Sequence, residues 1–266
     1  MKRIDLDEMK ALQLDILCKV HEFCKKNDIR YTLTYGTLIG AVRHKGFIPW
    51  DDDIDISMPR PDYNRFIATF NGSTENLQVI APELETHFYS PIANVVDTRT
   101  VMQEDLANYH KEIGIKIDIF PIDGVIDKRD YYKRRRIIYV CLRLLFTKNF
   151  SLSSHTSILY KSKMLIRKIG EVFIPLSQIQ KKIMSVASRV DYCSVEYADC
   201  LVFQQEEILM PKSTYDSYID LEFEGKNFKV ISRYHEFLSK CYGDYMQLPP
   251  EDQRVPHHEF TAYWKD

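Results

Sequence analysis

The 266-residue sequence lacks the apolar segments that would place it in or across a membrane. No run reaches about 18 apolar residues, the length that a membrane-spanning helix requires. The N-terminus, Met1 to Lys10, has no apolar segment of the kind that a signal peptide contains. We therefore expect a cytoplasmic protein.

Common metal and phosphate motifs are missing as well. The six cysteines form no Cys-x-x-Cys pair, which argues against a zinc ribbon and, in the cytoplasm, favours reduced thiols. Gly36 and Gly40 are not followed by the Gly-Lys-Ser/Thr of a Walker A loop. The sequence therefore gives no support to a kinase or an ATPase of that class.

Net charge is nearly absent, since 36 lysines and arginines face 38 aspartates and glutamates. A nucleic-acid coat protein that is basic throughout is thereby excluded. The charge is nevertheless uneven, because residues 128–182 carry 14 basic side chains and only two acids. We expect a core over residues 1–127, a basic helical section over 128–190, and an α+β section over 191–266 that completes the same unit.

Hydrophobic periodicity predicts an α+β fold, with a mixed sheet flanked by helices. A helix is expected over residues 6–26, where Asp5 and Glu8 fit a capping box. Shorter helices are expected over residues 38–42 and 62–70, and long helical patterns over 128–190. The predicted strands are 31–35, 53–57, 77–80, 88–96 and 115–119, with a turn at 121–124 and a hairpin that joins 218–223 to 227–230.

The most informative feature is an acidic strand, in which Asp53 and Asp55 alternate with Ile54 and Ile56. This alternation directs both carboxylates to one face, with Cα atoms about 6.5 to 7 Å apart. Carboxylates at this spacing can share a divalent cation, and oxygen ligands without histidine or cysteine favour Mg²⁺ or Mn²⁺. A solvated acidic loop is the alternative. An EF-hand is excluded, because Ile56 stands where that loop requires glycine.

The order of elements around this strand resembles that of the nucleotidyltransferase superfamily. A strand leads to a Gly36-Thr37 turn at a helix N-terminus, and the acidic strand follows. In that superfamily the turn holds nucleotide phosphates, the acidic strand holds metal ions, and a third carboxylate from a neighbouring strand completes the site. Asp118, which lies between Ile117 and Ile119, is the best candidate for the third carboxylate, and a solvent-facing strand acid is the alternative.

Three blocks of the sequence closely resemble the LicD family. The first runs from Tyr35 to Ile56, the second from Asp118 to Gly124, and the third from Tyr242 to Pro250. The pair His257-His258 extends the third block, and we assign it no role. The resemblance implies a nucleotidyltransferase-like fold and a phosphotransferase that moves phosphocholine from CDP-choline onto sugars of teichoic acid or lipopolysaccharide. Relatives related to fukutin use CDP-ribitol.

The resemblance also implies roles for the acids and for the turn. Asp53, Asp55 and Asp118 would hold Mg²⁺ or Mn²⁺, and Asp118 would help to deprotonate the acceptor hydroxyl. Gly36 and Thr37 would let the backbone approach the diphosphate.

Charged and aromatic neighbours are candidates for binding the donor. Arg43, His44 and Lys45 would supply cations near the diphosphate, and Arg43 is the best of them because a guanidinium matches the geometry of phosphate. The alternative is that all three are surface residues that close a helix. A choline group favours aromatic contacts, for which Trp50 and Tyr35 are candidates unless they belong to the core.

The basic section contains a mostly apolar run, Ile137 to Phe146, beside a cluster of arginines. The run is too short to span a bilayer, but it suits a helix that lies on anionic lipid, in agreement with a lipid-linked glycan acceptor. An ordinary buried helix with a solvated basic face is the alternative. We expect no nucleic-acid partner, because no RNA- or DNA-binding motif accompanies the basic residues.

The leading hypothesis is therefore a metal-dependent phosphotransferase that uses a CDP-activated donor, with peripheral contact to the inner face of the cell membrane. Two alternatives stay open. One is a nucleotidyltransferase that delivers the nucleoside monophosphate itself. The other is a non-catalytic scaffold that binds nucleotide or glycan.

Overall fold

The computed structural model of the chain describes residues 1–84, 90–104, 113–147, 175–203, 208–255 and 260–266. The helices are α1 (Leu6–Lys26), α2 (Tyr35–His44), α3 (Arg60–Thr69), α4 (Lys128–Thr147), α5 (Leu176–Ala187) and α6 (Tyr234–Tyr242). The strands are β1 (Arg3–Ile4), β2 (Thr32–Leu33), β3 (Asp55–Pro59), β4 (Leu77–Ile80), β5 (Ala93–Asp97), β6 (Thr100–Glu104), β7 (Lys116–Val125), β8 (Tyr197–Asp199), β9 (Met210–Pro211), β10 (Tyr218–Phe223), β11 (Lys226–Ile231) and β12 (Phe260–Trp264).

The largest sheet contains seven strands and organises the core. Its order is β2-β3-β7-β5-β4, with β8 paired to β7 and β9 paired to β8. The central pair β3 and β7 is parallel, and the remaining pairs are antiparallel. The predicted α+β fold with a mixed sheet flanked by helices is thus confirmed. The division into three sections stays a prediction.

Helix α1 has the predicted bounds, and its N-terminus is capped as expected. The Asp5 carboxylate accepts a hydrogen bond of 2.8 Å from the Glu8 N–H, which satisfies a backbone donor that has no partner inside the helix. The buried face of α1 packs on β5 and β7. From this face the Gln13 amide donates a hydrogen bond of 3.0 Å to the Asp52 carbonyl, so α1 holds the acidic segment in place.

Helix α2 is longer than the predicted helix over 38–42, and β2 is shorter than the predicted strand over 31–35. The helix begins at Tyr35, directly after its N-cap Thr34. It ends at His44 because Lys45 adopts a left-handed conformation with φ of 57°. The Gly36-Thr37 turn therefore belongs to the first turn of the helix, where backbone N–H groups lack partners within the helix.

Strand β3 begins at Asp55, two residues later than predicted. Pairing with β7 starts there, with Asp55 opposite Asp118, so Asp53 precedes the strand. Because β3 lies between β2 and β7, all five of its residues are buried. Helix α3 follows at once and covers most of the predicted 62–70 helix, with Pro61 in its first turn, where a missing N–H costs nothing.

The turn predicted at 121–124 is wrong, because β7 continues to Val125. Pro121 lies opposite Met58 of β3. Along β7, antiparallel pairing with β5 ends at Ile119, and pairing with β8 begins only at Asp123. Pro121 therefore lies in the gap between two neighbouring strands, where its missing N–H removes no hydrogen bond from the sheet.

Several other expectations are tested by the remaining strands. The strand over 77–80 is confirmed as β4, while β5 begins at 93 rather than 88, and residues 88 and 89 lie outside the described ranges. The hairpin is confirmed as β10 and β11, joined by Glu224 and Gly225. The sequence pattern missed a three-stranded sheet, β1-β12-β6, which brings the two ends of the chain together.

The described part of the basic section forms α4 and α5, which pack on each other. Arg134 is completely buried between them and donates hydrogen bonds to the carbonyls of Val186, Ala187 and Gly124. It thereby satisfies carbonyl groups at the end of α5. One member of the arginine cluster is therefore structural. In the described ranges, no helix is long and apolar enough to cross a membrane.

Candidate functional site

A cavity of about 1100 Å³ opens beside the central strands β3 and β7. Its walls come from the start of α2 and the loop after it, from both central strands, from α4, and from the segment that follows α6. The cavity therefore brings together all three of the blocks that the sequence singles out.

Four carboxylates line one wall of the cavity: those of Asp51, Asp53, Asp55 and Asp118. Asp55 and Asp118 face each other across the parallel pair β3 and β7. Burial raises the pKa of Asp55 well above its ordinary value, and the carboxylates of Asp53 and Asp118 raise it further. This wall carries a strongly negative potential that would stabilise a bound cation.

Lys116 places one positive charge beside this wall. It lies two residues before Asp118 in β7, so both side chains are on the same face of the strand. Its ammonium is 2.5 Å from Asp118 Oδ1, and Asn94, directly opposite on β5, donates a hydrogen bond to the same oxygen. Burial acts to lower the pKa of Lys116, but the Asp118 carboxylate raises it overall. Lys116 and Asn94 thus fix the orientation of Asp118.

The donor set fits a divalent cation. Carboxylate oxygens of Asp51, Asp52 and Asp53 lie within 4.8 Å of one another. Together with Asp55 and Asp118 they offer hard oxygen ligands of the kind that Mg²⁺ and Mn²⁺ prefer. A bound cation would relieve the repulsion that raises the pKa of Asp55. The assignment of Asp53, Asp55 and Asp118 as ligands stays a prediction, with Asp51 as a further candidate.

The first turn of α2 is in contact with one of these carboxylates. Asp51 Oδ2 lies 2.6 Å from the position that a Cβ would take on Gly36, so a larger residue would displace it. A helix N-terminus stabilises such a negative charge. Gly36 lines the cavity, and its predicted contact with a diphosphate stays a prediction. Thr37 is buried instead, and its hydroxyl accepts a hydrogen bond of 2.8 Å from the Asp55 N–H.

Of the three predicted cations, the structure brings Arg43 to the described cavity wall. Its guanidinium donates a hydrogen bond of 2.8 Å to the Tyr245 carbonyl and one of 2.9 Å to the His44 ring. Burial lowers the pKa of His44, and Arg43 lowers it further, so this imidazole is mainly neutral at pH 7. Lys45 is 74% exposed and pairs with Glu222 on the hairpin, away from the cavity.

The two predicted aromatic contacts both line the cavity, but each ring is already engaged. Tyr35 is almost completely buried, and its ring packs against Phe120 and Phe203 at centroid distances of 5.0 and 4.7 Å. The Arg254 guanidinium lies 5.7 Å from the centroid of the half-buried Trp50 ring. The contact of either ring with a choline group stays a prediction.

Sequence reasoning missed several residues at the cavity. Asp51 precedes the acidic strand and reaches the wall because the chain turns at Ile48, whose carbonyl bonds to the Asp51 N–H. Lys116 carried a usable signal, since it is two residues from Asp118 on a predicted strand. Asn94 carried none, because its place opposite Asp118 depends on strand register. The pair His257-His258 lies outside the described residues.

Two comparisons relate the chain to known proteins, one over the region of the acidic wall and one over nearly the whole chain. The nucleotidyltransferase domain described as LicD/FKTN/FKRP matches residues 28–146. The lipopolysaccharide cholinephosphotransferase LicD of Haemophilus influenzae is 34% identical over 271 aligned residues, which cover 99% of each chain. An uncharacterised protein of Rickettsia typhi is 49% identical over 67 residues, covering 25% of this chain and 22% of the other. One of Rickettsia prowazekii is 48% identical over 63 residues, covering 23% and 24%.

Proposed function

The chain belongs to the LicD family of transferases, and from this premise we propose that it transfers phosphocholine from CDP-choline to a sugar hydroxyl of a cell-surface glycan precursor. Lipopolysaccharide is the favoured acceptor class, because the relative from Haemophilus influenzae is named for that acceptor. Teichoic acid is the other acceptor class. The observation that carries the proposal is the full-length similarity to this relative, combined with four carboxylates on one wall of a single cavity and a lysine that pairs with one of them.

The reaction would proceed by attack of the sugar hydroxyl on the phosphorus that bears choline, with CMP as the leaving group. Phosphoryl transfer requires the protein mainly to position the reactants and to balance their charge. A bound Mg²⁺ or Mn²⁺ would neutralise charge that develops on the phosphate oxygens. Asp53, Asp55 and Asp118 would hold this cation on the cavity wall.

Asp118 is the candidate to receive the proton of the acceptor hydroxyl. Its Oδ1 already accepts hydrogen bonds from Lys116 and Asn94, so Oδ2 is the oxygen suited to this role. Arg43 would orient the diphosphate, because its guanidinium lines the cavity and is held in place by the Tyr245 carbonyl. Both roles use the preorganised positions of charged groups.

We extend the proposal to a cytoplasmic location with peripheral contact to an anionic membrane, where a lipid-linked acceptor would lie. Helix α4 exposes Tyr132 and Val140 beside Lys133 and Arg136. Exposed aromatic and basic side chains on one helix face suit the surface of anionic lipid. Flotation with vesicles of anionic and neutral lipid tests this contact, and binding to neither would contradict it.

Calorimetry with a panel of donors tests the proposed reaction. CDP-choline, CDP-ribitol, CDP-glycerol and CTP would each be titrated into the protein with and without Mg²⁺. We expect binding of CDP-choline that requires Mg²⁺, and loss of this Mg²⁺-dependent binding in Asp53→Asn. The exposed Asp220→Asn on β10 is the matched control and should bind as the wild type does.

Other results of the titration would select a different function. Mg²⁺-dependent binding of a different CDP-alcohol would keep the reaction class and change the transferred group. Binding of CTP alone would favour a nucleotidyltransferase, and binding of none of the four would contradict a CDP-activated donor.

A further inference from the structure

Recognition of a quaternary ammonium places specific demands on the cavity. Such a group has no N–H to donate, so it is bound by the faces of aromatic rings and by nearby negative charge. Only one oxygen and two carbons separate its nitrogen from the phosphorus of phosphocholine. The ring that binds it must therefore lie close to the carboxylates that would hold the reaction centre.

Two aromatic rings of the cavity already have a cation beside them. The Arg254 guanidinium lies 5.7 Å from the centroid of the Trp50 ring. The Arg143 guanidinium lies 5.5 Å from the centroid of the Tyr139 ring. Both distances are within the range of a cation–π contact, so a ligand cation on the same face would have to displace an arginine.

Four further rings of the cavity are used in packing. Tyr35, Phe120 and Phe203 contact one another, with centroids 4.7 to 5.0 Å apart. Tyr245 is buried, its hydroxyl is hydrogen bonded to the His235 ring at 2.9 Å, and the two rings pack edge to face. These rings have little surface left to offer to a ligand.

Tyr242, the last residue of α6, differs from all of these. It lines the cavity and keeps 39% of its surface exposed. Among the described residues, no cation and no aromatic ring lies against its ring. Tyr242 lines the same cavity as Asp51, Asp53 and Asp55. Burial raises the pKa of Tyr242, and these three carboxylates raise it further.

We propose that the Tyr242 ring is the aromatic wall that binds the quaternary ammonium of the donor, in place of the Trp50 and Tyr35 rings expected from the sequence. The assignment rests on the proposed function. The neighbouring carboxylates add a negative potential that a trimethylammonium group complements and a neutral group of the same shape does not. Tyr242 would thus set the preference of the enzyme for a cationic alcohol.

A comparison of two ligands of equal shape tests this assignment. One is CDP-choline, and the other is the CDP ester of 3,3-dimethylbutanol, in which carbon replaces the charged nitrogen. Calorimetry in the presence of Mg²⁺ gives both dissociation constants. We expect wild-type protein to bind CDP-choline on the order of tenfold more tightly than the neutral ester.

Substitutions of Tyr242 should change this ratio in a defined way. Tyr242→Leu removes the ring and should reduce the preference to about twofold or less, while Tyr242→Phe keeps the ring face and most of the preference. Trp50→Leu should leave the ratio between the two ligands as it is in the wild type. Circular dichroism and thermal unfolding establish that each variant is folded.

Three results would overturn the assignment. One is equal binding of the two ligands by the wild type, which requires no variant to fold. Another is an undiminished preference in folded Tyr242→Leu, and the third is loss of the preference in Trp50→Leu. Failure of the wild type to bind either ligand would instead refute the CDP-choline donor, and with it the premise of the assignment.

Discussion

The two ends of strand β7 carry charge in opposite ways. Near the start of the strand, Asp118 is one of four carboxylates on the cavity wall, and the Lys116 ammonium pairs with it. Near its end, Asp123 is completely buried and accepts two hydrogen bonds, of 2.7 and 3.1 Å, from the guanidinium of Arg60. Arg60 also donates a hydrogen bond of 3.1 Å to Glu83.

The two ends of β7 therefore differ in what their charged side chains bind. The Arg60–Asp123 pair stabilises the fold, whereas the carboxylates at the cavity are available to a ligand. Burial lowers the pKa of Arg60, but the Asp123 carboxylate raises it by more, so the guanidinium is matched within the protein. Burial raises the pKa of Asp123 although Arg60 lowers it, whereas at the cavity burial raises the pKa of Asp55 and the carboxylates of Asp53 and Asp118 raise it further. Unmatched buried charge is costly to the fold and is typical of a functional site.

The largest expected effect comes from substitution of a carboxylate at the cavity end of the β3–β7 pair. Asp55→Asn should reduce the rate of CMP release from CDP-choline at least about a thousandfold, because a ligand of the proposed cation is lost. The same change should raise the melting temperature of the metal-free protein, since it removes a repelled carboxylate. Rate assays and thermal unfolding measure the two effects.

The matched control for Asp55→Asn is the exposed Asp220→Asn, which should change neither quantity. A variant of Asp55 that retained full activity would refute its place in the site. A lower melting temperature of this variant would show that the Asp55 carboxylate makes stabilising interactions within the metal-free protein.

The next effect in size is expected at the end of β7, where Arg60 pairs with Asp123. Arg60→Met leaves Asp123 buried without its partner and should lower the free energy of unfolding by about 3 to 5 kcal/mol. Denaturation with urea measures the loss. Arg65→Met, on the same helix but 54% exposed, should cost less than about 1 kcal/mol. Equal losses in the two variants would contradict the comparison.

The smallest effect concerns Asp199, which lies opposite Asp123 on β8. Burial raises the pKa of Asp199 to about 6 from an ordinary value of 3.8, although the Tyr131 hydroxyl donates a hydrogen bond to it. The unfolded chain therefore loses this proton at a lower pH than the folded protein. The contribution of Asp199 to stability is complete below about pH 3 and is lost as pH rises through about 6.

Asp199→Asn should abolish this dependence on pH. Relative to the wild type, the variant should gain about 2 kcal/mol in free energy of unfolding between pH 4 and pH 6. Urea denaturation at several pH values measures the difference. Asp15→Asn, whose side chain is 47% exposed, should keep the wild-type dependence. Parallel curves for Asp199→Asn and wild type would show that burial does not raise the pKa of Asp199.

Features that depend on near neighbours could be predicted from the sequence. The capping of α1 by Asp5, the bounds of that helix, the β4 strand and the turn at Gly225 were all predicted. So was the α+β class, because hydrophobic periods of about 3.6 and 2 identify helices and strands. The three sequence blocks also identified the LicD family, which the full-length relative confirms.

Features that depend on register and packing were decided only by the tertiary structure. Pro121 looked like the start of a turn, yet it lies in a continuous strand because its neighbours on one side leave a gap. Arg134 looked like part of a surface cluster, yet it is buried at the end of α5.

The cavity likewise combines features that are local in the sequence with features that depend on register and packing. The sequence by itself determined that Asp55 and Asp118 are acids on strands, which is a local property, whereas Asp53 precedes the strand on which it was expected. Only the fold decided that Asn94 lies opposite Asp118 and that Tyr242 lines the same cavity as the acidic wall. Contacts between residues so far apart in the chain follow from strand pairing and helix packing, and no local period in the sequence encodes them.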